Sequence, residues 1–245
     1  MTMNILKLTM VAMITCATHT VNAQEYLGAD WSGNVNGGLS IASGNSDTSA
    51  LNGDANLGAR WEDQRAGIKA DFNQEESNDV DTVDNRSISG TYDYFFAPKW
   101  FWNVTGGLET DEIALLDLRS TASTGLGYQV FESDDLNLKF VAGPGYIDED
   151  FSTGVGESSA TGHWALDYDQ KFYDDLFRVF HNHTLLTPFE DITGAYIFNS
   201  KTGIRLPVRA GIIATAELDL DHDSDPVVGA NSTDRVYSLK LGYEW

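Results

Sequence analysis

The side chains best suited to chemistry are the histidines and a large surplus of carboxylates. His163 precedes Asp167 and Asp169 by four and six residues, so in an extended strand all three share one face. His181 and His183 follow on the next segment, and neighbouring strands can bring such groups together. A base beside a carboxylate is the core of hydrolytic chemistry, and a membrane-barrel enzyme acting on lipids, with His163 or His183 as base, is one reading. The rest of that machinery is missing from the sequence: neither a serine-centred elbow nor an H-E-x-x-H spacing accompanies the histidines. The plainer reading makes them members of a polar network lining a lumen or an interface, with no catalytic residue.

Carboxylates gather in three stretches: Glu75, Glu76, Asp79, Asp81 and Asp84; Asp148, Glu149 and Asp150; Asp221, Asp223 and Asp225. "DLDHDSDP" alternates acids as a calcium loop does, but it lacks the glycine and the terminal glutamate of that loop. These stretches are expected to meet divalent cations loosely, sharing them with anionic lipid phosphates, and no dedicated metal site or cofactor is expected. "GNSD" at 44–47 reads as a tight connection, since no phosphate-loop lysine or helix follows it.

Composition narrows the field further. The 245 residues carry 37 acidic against 15 basic side chains, a net charge of -22, which repels nucleic acid and excludes a DNA or RNA partner. Residues 1–23 have the Lys7-bearing start, short apolar centre and small-residue end of a signal peptide cleaved after Ala23, leaving 24–245 as one exported domain. Cys16, the single cysteine, would leave with that peptide, so no disulfide is expected.

The elements that must position these groups have a period of two. Leu51, Gly53, Ala55, Leu57, Ala59 and Trp61 alternate with Asn52, Asp54, Asn56 and Arg60. The clearest file is Ala210, Ile212, Ala214, Ala216, Leu218 and Leu220 against Arg209, Gly211, Thr215, Glu217, Asp219 and Asp221. An acid at every second position cannot lie in a dry core, so that face must meet water or paired charges. The same pattern predicts twelve strands, near 30–42, 49–61, 65–74, 86–97, 100–110, 118–130, 135–147, 160–173, 176–186, 193–206, 208–220 and 234–245. In 176–186 the two parities are equally mixed, and its facing stays open.

Short connections at 62–64, 97–99, 132–135, 173–175 and 206–208 would fall on one side, and long ones at 74–84, 148–158 and 221–234 on the other. An even number of long strands with this asymmetry predicts an all-β fold: a closed antiparallel transmembrane barrel with short periplasmic turns and longer extracellular loops. Closure removes the sheet edges that water penalises by aggregation and hydrocarbon penalises by unpaired peptide groups. A soluble periplasmic ligand-binding barrel is the competing architecture, and it would turn the Trp- and Leu-bearing face inward.

Facing follows from parity. Trp31, Trp61, Trp100, Trp102, Tyr128, Tyr243 and Trp245 lie at strand ends on the short-turn side, where a membrane-interface girdle belongs. Arg60, Arg65, Lys69, Arg119, Lys139, Lys171, Lys201, Arg205, Arg209 and Lys240 are expected to line the lumen. With them go Asp54, Asp71, Glu109, Asp167, Asp169, Glu217 and Asp219. In "RVYSLKLGYEW", Tyr237, Leu239, Leu241, Tyr243 and Trp245 form the outward file, and the strand should close the sheet against the one beginning near Trp31.

The stretch "WSGNVNGGLSIASGNSDTSALNGDANLGARW" at 31–61 resembles the start of the YdiY-like proteins, the family of domain-of-unknown-function number 481, described as salt-induced outer-membrane proteins. Trp31, Gly33, Gly38, Leu39, Gly44, Asn45 and Thr48 carry the resemblance, which runs on to "YSLKLGYEW". It implies a Gram-negative outer-membrane barrel without an assigned activity, structural or weakly pore-forming and linked to salt or envelope stress. The implied partners are outer-membrane lipid and lipopolysaccharide, with periplasmic chaperones and the barrel-assembly machinery during biogenesis. The final tryptophan stands where outer-membrane strands more usually carry phenylalanine.

Overall fold

The computed structural model describes residues 28–42, 48–78, 80–154, 156–189, 195–226 and 231–245. The expected signal segment and the "GNSD" connection, with Gly44 and Asn45, lie outside these residues. Twelve strands follow in chain order: β1 Asp30–Ala42, β2 Thr48–Arg60, β3 Gln64–Ser77, β4 Val80–Phe95, β5 Trp100–Asp111 and β6 Leu116–Glu132; then β7 Leu136–Phe151, β8 Gly156–Phe172, β9 Phe177–Pro188, β10 Ile197–Arg209, β11 Ile212–Asp223 and β12 Thr233–Glu244. Each pairs antiparallel with its chain neighbours, and β1 meets β12 to close the barrel. Closure runs from Asn34↔Glu244 to Gly37↔Leu241, extended by the reciprocal backbone bonds of Gly33 and Trp245 at 3.1 and 3.0 Å.

The period-two pattern becomes two unlike surfaces. On β11, Ile212 is 48% exposed while Glu217 is 8% exposed and turned into the lumen. On β12, Leu239 is 80% exposed and Lys240 only 4%. Apolar side chains therefore face out and charges face in, the reverse of a soluble ligand-binding barrel. This is a transmembrane β-barrel: its strands exceed the roughly 9–11 residues needed to cross a bilayer at a tilt, and their ladders pair backbone polar groups internally.

The interior is not uniformly polar. Phe101 is fully buried against Phe95 and Val141 inside the wall. It fits because Gly127 stands opposite on β6, where any Cβ would run into its ring.

Several local expectations need correction. The connection placed at 74–84 shrinks to 78–79, because β3 and β4 stay paired up to Ser77↔Val80; Asn78 makes the turn with φ of 51°. Likewise 148–158 shrinks to 152–155, so Asp148, Glu149 and Asp150 sit on β7. A hairpin wet on both faces can carry polar residues at every position, so polarity alone does not end its ladder.

The turn placed at 206–208 lies instead at Ala210 and Gly211, whose φ values of 52° and 81° make a tight two-residue reversal. A bulge between Pro207 and Arg209 precedes it and resets the facing. Arg209 then pairs with outward Ile212 and lies exposed by the turn, not in the lumen.

Candidate functional site: the lumenal charge lattice

Strand parity delivers charges from every side into a narrow interior, where they pair in three layers. In the middle layer Lys240 Nζ donates to Asp54 Oδ1 at 2.8 Å and to Glu217 Oε1 at 2.7 Å. Their side chains are 1%, 6% and 4% exposed, so these three charges are shielded from water by one another and by the wall. Asn36 Nδ2 donates to the second Asp54 oxygen at 2.7 Å. Lys201 reaches from β10 across the lumen to Asp71 on β3, and also lies 3.2 Å from Asp219 and 3.8 Å from Glu217.

Toward the longer loops Arg119 gathers Glu149 at 2.7 Å, Glu109 at 3.4 Å and Asp223 at 3.5 Å, again linking strands far apart on the wall. Asp221 and Asp234 flank this level as a Cα pair, so acid dominates there.

Toward the short turns the balance reverses. Arg65 bonds Asp93 at 2.8 Å and Gln129 at 2.9 Å, and Arg60 bonds Glu132 at 3.0 Å. Lys139 lies 3.7 Å from Asp167 and 3.9 Å from Asp93. Arg178 and Arg205 share Glu244 at 3.2 Å each, and both approach Asp169. Arg60 and Arg65 stack on Phe95 with their guanidinium carbons 4.4 and 5.3 Å from the ring centre, and Arg205 lies 5.0 Å from that of Phe180. Lys171 points the same way opposite Arg178. Lys69 faces an open part of the lumen and makes no hydrogen bond or ion pair among the described residues.

The lattice also uses residues that the sequence reading did not select. Asp93 and Glu132 sit at strand ends that pattern alone assigns to turns or leaves unremarked. Arg178 belongs to β9, whose parity is ambiguous because inward Arg178, Phe180 and Asn182 alternate with outward Val179, His181 and His183. Only pairing with Lys201 and Arg205 on β10 resolves it.

This facing separates the histidines. His163 points inward and is 8% exposed, with Nδ1 making no hydrogen bond. His181 and His183 point outward, in a chain in which Trp164 Nε1 donates to His183 Nε2 at 3.0 Å, the two imidazoles meet at 2.9 Å, and His181 meets Thr202 Oγ1 at 2.6 Å. The barrel wall thus stands between the two candidate bases, and His183 does not reach Asp167 or Asp169. Among the described residues, no three or more His, Cys, Asp or Glu side chains are grouped to hold a metal ion.

On the outside, Trp100 and Trp102 are about half exposed near the short turns, and Trp100 packs on Tyr128 with ring centres 4.8 Å apart. Tyr243 and Trp245 lie 6.1 Å apart, while Trp31 and Trp61 are half-buried at the ends of β1 and β2. Tyr92, Tyr94, Phe96 and Phe131 are exposed toward the same end, a set the sequence reading did not select.

An even-stranded closed barrel, apolar outside and charged inside, is the architecture of bacterial outer-membrane proteins, and this chain is a twelve-stranded outer-membrane β-barrel of a Gram-negative bacterium. The family described as "Protein of unknown function, DUF481" matches residues 35–245, and the chain belongs to it. No curated protein matches the chain. Among solved structures it is similar to the NanC porin, at 12% identity and a TM-score of 0.49, over 86% of this chain and 97% of that one. An outer-membrane channel from Pseudomonas putida F1 aligns at 14% identity and a TM-score of 0.48, over 89% and 95%. The translocator domain of autotransporter NalP from Neisseria meningitidis aligns at 11% and 0.44, over 97% of each chain.

Proposed function

We propose that the protein is a structural outer-membrane barrel whose lumen is closed at rest, conducting ions weakly and only when its lattice opens. The buried layer of Lys240, Asp54 and Glu217 carries this reading, since a steady aqueous pore would wet those charges. The lattice is the lumen lining, and the aromatic rings near the short turns serve as the interfacial girdle, bodies against acyl chains and polar edges toward head groups. The remaining outer wall meets lipid and lipopolysaccharide, with divalent cations loosely held at the acidic rim.

Residues 1–23 act as the export signal, and periplasmic chaperones and the barrel-assembly machinery deliver the remainder. The link to salt or envelope stress follows from the family resemblance, and survival of a deletion strain after a salt upshift tests it. For the lumen, single-channel recording of purified protein in planar bilayers is decisive. Mostly silent records with brief small openings are expected, with a marked rise in current when Lys201 and Lys240 are both changed to Ala. A large steady conductance in the unaltered protein rules the closed lumen out.

A further inference from the structure

At the short-turn end the lumen keeps a cavity of about 380 Å³, within the size range of small-molecule sites. Arg60, Arg65, Lys69, Lys139, Arg178 and Arg205 all line it, six of the chain's 15 basic residues in a protein of net charge -22. Glu244 is the one acidic side chain in that lining; Asp93, Glu132, Asp167 and Asp169 engage these cations from outside the cavity. The cations are therefore held in place by carboxylates, yet retain donor capacity.

That capacity is specific. The Nε atom of Arg205 is buried and makes no hydrogen bond, a costly condition for a charged donor, and that of Arg178 has only the 3.5 Å contact with Asp169, beyond good hydrogen-bond length. Both guanidinium groups already converge on one carboxylate, that of Glu244, at 3.2 Å each. Lys69 and Lys139 come from β3 and β7, one with no ion pair among the described residues and the other with contacts no closer than 3.7 Å. Planar arginine forks beside mobile ammonium groups suit carboxylate and phosphate oxygens.

We infer that this cavity is a binding site for a small anion bearing carboxylate or phosphate groups, entered from the periplasmic end. Arg178 and Arg205 hold one end of the anion beside Glu244, and Lys69 and Lys139 neutralise the other. The site needs no conducting pore, so it stands or falls apart from the closed lumen.

Isothermal titration of the detergent-solubilised barrel at low salt, with inorganic phosphate and separately with glutarate, tests the inference. Saturable binding of one equivalent is expected, weakened by added sodium chloride. Lys69→Ala, which breaks no internal pair, should reduce affinity about tenfold, the scale of one charge-assisted hydrogen bond, and Lys69→Arg should restore most of it. Lys99→Ala, at an outer turn, serves as a control for overall charge and should bind as the unaltered protein does. Phosphate binding without glutarate binding assigns the site to phosphate esters, and the converse assigns it to carboxylates. Absence of saturable binding for both probes, an unchanged Lys69→Ala variant, or an equal loss in Lys99→Ala overturns the proposal.

Discussion

Lys240 shows how much a single side chain can control in a filled barrel. A buried ion pair gains little over an apolar replacement, because both charges lose their hydration, yet removing one partner strands the other. Lys240→Met leaves Asp54 without its cation and Glu217 with only Lys201, 3.8 Å away, and should cost about 3–5 kcal/mol, measured by urea titration of the barrel in lipid vesicles. Adding Asp54→Asn and Glu217→Gln to the same protein should recover most of that loss. Arg86→Ala is the intermediate case: its side chain is 62% exposed, but Asp84 beside it is only 7% exposed, and the change should cost about 1–3 kcal/mol. Lys240, Asp54 and Glu217 were legible in the sequence because each occupies a strict period-two file. Arg209 was misread because a bulge is invisible in such a file, and Arg178 was left open because both faces of its strand mix polar with apolar side chains.

At the scale of elements, strand number and facing followed from the pattern, since a membrane wall enforces alternation more strictly than most folds. Leu239 lies in the outward file of β12, and Leu239→Arg should destabilise the folded barrel in vesicles by about 2–4 kcal/mol, the cost of a cation near mid-bilayer. A substitution that folds as well as the original would place this file outside the hydrocarbon. The ends of elements were less legible. Strand β3 outruns its expected end because a hydrated hairpin loses nothing by continuing, and the β10–β11 turn is hidden behind Pro207, which looks like a stop. The true turn depends on Gly211, at φ of 81° with the Tyr243 ring and the Glu244 carbonyl where a Cβ would go. Gly211→Ala should therefore cost about 1–2 kcal/mol through left-handed strain alone, with crowding added, and should slow barrel closure in a refolding assay followed by gel migration.

For the whole molecule, the distribution of charge matters more than its sum. Acid collects toward the longer loops and base toward the short turns, so the lumen carries a polarity along its axis that a net charge of -22 conceals. The turns beyond the basic level carry Glu62, Asp63, Asp134, Asp135, Asp174 and Asp175, so the excess of base is confined to the lumen wall and does not extend to the mouth itself. Composition shows the excess of acid; only closure of the sheet shows where the two signs part company. The reach of Lys201 across the interior to Asp71, and of Arg119 to Asp223, has a mechanical consequence as well. A hollow cylinder under lateral pressure fails first by flattening into an oval, and cross-struts between nearly opposite staves oppose that deformation. The same side chains that span the bore should make it stiff, holding its round section when the surrounding lipid is squeezed or stretched.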